Sequence, residues 1–334
     1  AAQKEGKLII YSSEGAEGRQ ALSEAFKKRY GLNIEYVSSG RSSMLTQKIF
    51  TERRAGLYMV DAFISGSTGM VSELKPAGIL DRPEPELLLP ELTEPGQVKN
   101  LWFGGELYFI DETTRTILSF TAYPSFPIAY NTAMVKPAEI QSYQNLLMPK
   151  FKEKIILSNP TVAGSGAKWF QIQSNYIMNL GYMKELAKQN PIIMDDLRLM
   201  ADWIARGKYY VGIAPKPVEI TEFQRAGAPV DFFTPVEGTY LTSGGGNIVI
   251  IKNRPNPNAT RIFLNWLLTK EVQSIYTQVS ERQSRRLDIS TGDISPLKLR
   301  QPGAKYFESE KEDILIKSDE SYKVAKEIFG SLMK

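Results

Sequence analysis

A chain of 334 residues, 42% hydrophobic and 23% charged, is long enough for two globular domains with a core in each. Its 41 basic and 37 acidic residues are interspersed and leave a net charge of only +4, so no concentrated basic face for nucleic acid is expected. Cysteine and histidine are both absent, which removes disulfides, thiol nucleophiles, Cys/His zinc sites and Ser-His-Asp triads.

The short basic runs Lys27-Lys28-Arg29 and Arg285-Arg286 read as solvated surface. The chain opens at Ala1-Ala2-Gln3-Lys4, and such an alanine start reads as the mature end left by signal-peptide cleavage. Export to the periplasm or the cell surface is therefore expected, and the lack of cysteine suits an oxidising compartment. No apolar run approaches the ~20 residues that span a membrane.

KLIIYS at 7–12 reads as a strand and 17–30 as a helix with Leu22, Phe26 and Tyr30 on one face. A strand at 33–37, a helix at 42–55, a strand at 60–65 and a helix at 67–77 follow. Alternation with short loops predicts a doubly wound, mostly parallel α/β sheet. Each of the three strands ends in small hydroxyl and glycine residues: Ser12-Ser13-Glu14-Gly15, then Ser39-Gly40-Arg41, then Ser65-Gly66-Ser67. In an open α/β sheet, ligands bind at the carboxyl ends of the strands, and helix N-termini there offer free N–H groups to an anion. The serines are hydrogen-bond donors, and Arg41 offers a planar fork to carboxylate or phosphate. Glu14 is a lone oxygen ligand, too little for Fe(III).

The proline-rich stretch 82–95 breaks the pattern, and 107–131 reads as extended strands. A second α/β unit follows: a helix near 139–148, a strand at 154–158, and helices at 167–180, 182–188 and 194–205. Strands at 209–214 and 230–235 and a helix at 218–226 continue it, and a strand at 244–253 and one amphipathic helix at 259–276 follow. The turn Ser165-Gly166-Ala167 opens a helix, and its bland alternative is Ser165 capping that helix. Lys216, between two prolines after a strand, favours an anion. Tyr209 and Tyr210 alternate in a strand and point to opposite faces, so core packing is their expected role. Asp195-Asp196 reads as a helix cap. The expected division is a first lobe of 1–122 plus 236–285, a second lobe of 123–235, and a tail of 286–334 packing back on the second lobe. The lobes are joined by extended strands near 118–126 and 232–242.

KLIIYSSEGAEG at 7–18, VDAFISGSTGMVSELKPAGIL at 60–80, IAYNTAMV at 128–135, MPKFKEKIILSNPTVAGSGA at 148–167, ARGKYYVGI at 205–213 and NPNATRIFLNWLLTKEVQSIY at 256–276 stand in an informative order. Together they resemble the periplasmic solute-binding proteins of ABC importers, in the branch that includes the ferric-binding proteins. The resemblance implies a type II Venus-flytrap fold, with two α/β lobes, a two-strand hinge and a ligand held in the cleft between them. It also implies an anion-binding turn at AGSGA, 163–167. The positions of the ferric branch's His, Glu and Tyr-Tyr ligands fall on Gly15, Gly66 and Lys216-Pro217, so no metal site is expected.

The sequence thus predicts an exported, monomeric binder without catalytic residues or cofactor. It captures a small anionic organic solute and hands it to an ABC permease; the alternative is a ferric or metal-chelate binder. The residues expected at the solute are Ser12, Ser13, Glu14, Gly15, Ser39, Gly40, Arg41, Ser65, Gly66, Ser67, Ser165, Gly166, Ala167 and Lys216.

Overall fold

A computed structural model describes residues 1–39, 42–125, 128–162, 164–292, 294, 298–304 and 306–333. The chain divides into two compact units. The first comprises Ala1–Tyr123, Thr242–Gln301 and Glu310–Ile316; the second comprises Pro124–Leu241, Pro302–Ser309 and Lys317–Lys334.

In the first unit, strand Lys7–Ser12 lies between Asn33–Ser38 and Ala62–Ser65, all parallel. Asn247–Ile251 then pairs antiparallel with Ala62–Ser65 and with Leu118–Ser119. The period of two is visible in the packing. Leu8 and Ile10 enter one core with Leu22, Phe26 and Phe263, whereas Ile9 and Tyr11 enter another with Leu45, Ile49 and Met70. The helix Ala16–Tyr30 stops at Gly31, whose φ of 69° lets its N–H reach the Lys27 carbonyl at 2.9 Å.

The second unit repeats this order. Strand Ile155–Ser158 lies between Ile192–Met194 and Val211–Ile213, all parallel, and Ile128–Asn131 then pairs antiparallel with Val211–Ile213 and with Val230–Phe233. Ile155 and Leu157 face one core with Trp169 and Phe170, while Ile156 faces another with Met200 and Ile204. The strand expected over 209–214 begins only at Val211, and Tyr210 and Tyr209, just before it, pack half-buried against the two different cores.

Four local expectations are corrected. The helix expected over 259–276 is two, Pro257–Leu267 and Lys270–Ser280. Side chains take up the carbonyls freed at the break: Thr269 Oγ1 donates to Trp266 O, Gln273 Nε2 to Leu267 O and Arg286 Nη1 to Leu268 O. Ile192–Met194 is an edge strand, and the next helix begins only at Leu197, where Asp196 accepts from Leu199 N at 2.9 Å. Arg285 and Arg286 are not solvated; they are 1% and 4% exposed. The Arg285 guanidinium lies 3.7 Å from the centre of the Tyr108 ring, and Arg286 is paired with Glu91 and Asp288. Finally, the tail does not gather on one unit. Leu315 is buried in a core of the first, Ala325 and Phe329 in a core of the second, and residues 286–301 stay with the first. Residues 236–241 belong to the second unit, where Thr239–Leu241 pairs with Tyr306–Glu308.

Candidate functional site

In the first unit the expected loops meet at the carboxyl ends of the parallel strands. Ser13 Oγ lies 2.6 Å from Ser65 Oγ, which donates to Ser42 Oγ at 2.9 Å. Ser12 is buried, and its hydroxyl accepts from Glu14 N at 3.1 Å. Arg282 Nη1 donates to both carboxylate oxygens of Glu14, at 2.7 and 2.8 Å, and to Tyr276 Oη at 3.2 Å. The Glu14 side chain is 7% exposed and that of Arg282 28%. Burial pulls the Arg282 guanidinium toward deprotonation, but Tyr276, Tyr123 and Glu14 together hold it firmly charged. Burial also pushes the Tyr276 and Tyr123 phenols above their ordinary range.

A glycine run lets the backbone approach this pair. A Cβ on Gly245 would sit 1.8 Å from Glu14 Oε1, one on Gly246 1.8 Å from Thr121 Oγ1, and one on Gly244 2.5 Å from Tyr123 Oη. Gly244 also has φ 55°, which disfavours any side chain. Gly66 faces the run, since its Cβ would lie 3.7 Å from Gly244 O. Ser67 is differently committed: its hydroxyl donates to Glu310 Oε2 at 2.5 Å, while Thr242 Oγ1 donates to Glu310 Oε1 at 3.1 Å. Ser39 Oγ contacts Met44 Sδ at 3.4 Å, and Gly15 is the exposed N-cap of Ala16–Tyr30. Gly40 and Arg41 lie outside the described residues.

In the second unit, Ser165, Gly166 and Ala167 form the first turn of the helix Ser165–Ile172, directly beside the end of strand Ile155–Ser158. Among the described residues no side-chain cap is made at its N-cap, Gly164. Ser165 does not cap it either. Its hydroxyl donates to Ala214 O at 2.8 Å and lies 3.2 Å from Ser158 Oγ. Gly166 admits no side chain, because its Cβ would fall 2.1 Å from Ser158 O. Lys216 is 55% exposed, and its ammonium reaches Glu219 at 3.2 Å. Arg198 first, and Lys216 with it, hold that carboxyl below its ordinary range despite partial burial.

A family profile described as bacterial extracellular solute-binding protein matches residues 109–278, half of the chain. The chain belongs to this family. Solved structures similar to this solute-binding protein include the periplasmic binding protein AfuA from Actinobacillus pleuropneumoniae with fructose-6-phosphate bound, 20% identical over 98% of both chains with a TM-score of 0.64. Another is the Trichodesmium protein IdiA, or FutA, with iron and citrate, 18% identical over 98% of this chain and 99% of that one, with a TM-score of 0.70. The open ferric iron-binding protein A of Mannheimia haemolytica is 12% identical over 98% of each chain, with a TM-score of 0.70. At these identities the likeness establishes the two-lobed α/β fold of periplasmic binding proteins. An uncharacterized protein of Haemophilus influenzae is 20% identical over 82% of this chain and 76% of its own length. No helix among the described residues is long and apolar enough to cross a membrane.

Sequence reasoning about this solute-binding protein missed Arg282 and Tyr276. Arg282 lies 268 residues from Glu14, so no local pattern joins them. The available signal was the run Gly244-Gly245-Gly246: three adjacent glycines before a strand mark a close approach of other atoms to the backbone. Among the described residues, no group of three or more His, Cys, Asp or Glu side chains stands placed to hold a metal ion.

Proposed function

We propose that this protein works outside the cytoplasm as the solute-capturing component of an ABC importer, and that its solute is a small organic anion. The observation that carries the reading is the start of the helix Ser165–Ile172 at a strand end in the second unit, where the N-cap is a glycine and no side-chain cap is made among the described residues. An uncapped first turn leaves N–H donors and the positive end of the helix dipole for an anion. Gly166 is buried with its Cα against Ser158 O and Asn159 O, so the absence of a side chain lets this helix start sit close against the end of strand Ile155–Ser158. Two proteins of this fold hold fructose-6-phosphate, and iron with citrate; both ligand sets contain an organic anion. Ferric iron alone is less favoured, because Glu14, the carboxylate it would call on, is held by Arg282. The protein binds the solute without transforming it, and its partner is the importer's permease.

The test is a thermal-shift screen across organic anions, uncharged metabolites and ferric citrate, followed by calorimetry. A true solute at 100 times its Kd adds about 2.7 kcal/mol of stability. At least one organic anion is expected to raise Tm. A screen in which only uncharged compounds respond overturns the anion, and a visible ferric charge-transfer band at one equivalent of iron restores the metal reading.

A further inference from the structure

The chain passes from one unit to the other after Tyr123, Leu241, Gln301, Ser309 and Ile316. The sequence predicts connections near 118–126 and 232–242; the passage after Ser309 runs beside them. Strand Thr239–Thr242 stands between Tyr123–Pro124 and Tyr306–Glu308 in one three-stranded sheet. It is parallel to Tyr306–Glu308, with Thr239 opposite Tyr306, Tyr240 opposite Phe307 and Leu241 opposite Glu308. The two strands therefore leave the second unit almost in register. Each side of the passage is anchored by bonds that lie within a single unit. In the second unit, buried Ser309 donates to Leu241 O from its N–H at 3.3 Å and its hydroxyl at 2.6 Å, and Lys168 Nζ donates to Ser309 O at 3.2 Å. In the first unit the very next residue, Glu310, is buried. Its carboxylate accepts from Ser67 Oγ at 2.5 Å, Thr242 Oγ1 at 3.1 Å and Ser243 N at 3.4 Å, and its carbonyl accepts from Tyr108 Oη at 3.0 Å. Neighbouring Cα atoms stand about 3.8 Å apart, so consecutive residues fixed in different units leave the passage no slack. The chain then stays in the first unit for the short stretch Glu310–Ile316, with Leu315 in a core there, before it returns to the second. A tail that served only to cover the second unit would not need this excursion.

We propose that Tyr306–Glu310 acts as a third strand of the hinge, and that Glu310 is the positioning residue tying the pivot at Leu241–Thr242 to the loop Gly66–Ser67. A hinge works through a few residues that absorb the φ and ψ change. Any such change at Thr242 carries its hydroxyl and the Ser243 N–H, so the Glu310 carboxylate must follow, and Ser67 with it. Ser67 opens the short helix that follows strand Ala62–Ser65. Rotation at the pivot is thus felt at a strand-end loop of the first unit. A third bonded strand also stiffens the pivot, because its bonds must flex in step with the other two strands or break. The proposal concerns the two-lobed fold and is independent of which solute binds.

The chain has no cysteine, so Lys28→Cys and Lys184→Cys, exposed and one in each unit, take a pair of spin labels at those positions alone. Distance distributions are recorded on the full chain without added ligand, and amide hydrogen exchange on the unlabelled protein. In Glu310→Ala the distribution is expected to broaden about twofold as the pivot loosens. The amides of Ser125 and Ser309, which donate to Tyr240 O and Leu241 O, are expected to exchange together about tenfold faster. The amides of strands Lys7–Ser12 and Ile155–Ser158, inside the cores, should keep their rates. Glu310→Gln retains one acceptor and is expected to recover about half of the change. Ser309→Ala removes the hydroxyl bond to Leu241 O on the other side of the passage. It should broaden the distribution more mildly, and it carries the test if Glu310→Ala does not fold. An unchanged distribution in whichever of these variants folds overturns the proposal. Faster exchange at Ser309 with Ser125 unmoved also overturns it, by making Tyr306–Glu310 a passive edge strand. Equal acceleration of the core strands overturns it too, since Glu310 would then serve stability in general.

Discussion

Both units place a strand from the start of their own α/β run between two parallel neighbours, then add an antiparallel strand. With the same topology, their strand ends hold different chemistry. In the first unit the chain crowds paired charges, hydroxyls and three glycines into that position. In the second, a helix start led by a glycine, as Ala16–Tyr30 is in the first, has one hydroxyl turned away onto a carbonyl and no paired charge beside it among the described contacts. Topology therefore fixes where these loops stand; it does not fix which groups they carry. The helix starts sharpen the point. In the first unit, the helix Pro257–Leu267 takes a carboxylate from far along the chain: Glu5 accepts from Asn258 N at 3.1 Å and from Ala259 N at 2.7 Å. Glu5 does there what the solute's anionic group is proposed to do at Ser165–Ile172.

The sharpest break of the comparison is Gly166→Ala. Its new Cβ meets a backbone oxygen, which cannot step aside as a side chain can. The loss of stability is expected at or above the ~3 kcal/mol upper end of ordinary overpacking, with anion binding lost as the turn shifts. Chemical denaturation with calorimetry on the folded fraction checks both. A variant as stable as the parent would mean that the turn is not held against Ser158.

Gly245→Ala is the matching change in the first unit, and it is expected to cost about 1–3 kcal/mol. Its Cβ displaces the Glu14 carboxylate from Arg282. The comparison predicts that the preference for anions over uncharged compounds remains. Loss of that preference, in titrations of this variant, would dissolve the distinction between the units.

Ser165→Ala removes the bond to Ala214 O and is expected to cost about 0.5–1.5 kcal/mol. Because that hydroxyl does not cap the helix, anion affinity should fall less than in Gly166→Ala. An equal fall, measured side by side, would return Ser165 to the ligand's first contacts.

The smallest effect is at Glu5. Partial burial raises its carboxyl, but bonds from Ala259 and Asn258 outweigh that and hold it below the ordinary range. Its contribution is therefore present above its unfolded value of about 4.3 and lost as pH falls through the lower folded value. Glu5→Gln keeps one acceptor and should cost about 0.5 kcal/mol at neutral pH. The Tm difference from the parent should shrink as pH falls below about 4. A difference that grows in acid would show that Glu5 is not the cap's charged partner.

Much of the fold was legible. The helix Ala16–Tyr30 and strand Lys7–Ser12 lie within a residue of their predicted spans, because apolar period and short loops are local properties. The break at Leu268–Thr269 was not legible, since the carbonyls it frees are taken up by Gln273 and by Arg286, a residue beyond the helix. Nor was the burial of Arg285 and Arg286, whose partners Tyr108 and Glu91 lie far away in sequence.

By itself, the sequence determined the alternation of strands and helices, the small hydroxyl-rich loops at strand ends, and the exclusion of thiol and imidazole chemistry. These follow from composition and from periods of two and 3.6 residues, which act between neighbours. The tertiary structure decided which polar groups meet. It joined Glu14 to Arg282 and Glu5 to the helix at Pro257, and turned Ser165 onto Ala214 and Ser67 onto Glu310. Hydrogen bonds and ion pairs form wherever folding brings partners within about 3 Å, and contacts between residues hundreds of positions apart leave no period in the chain.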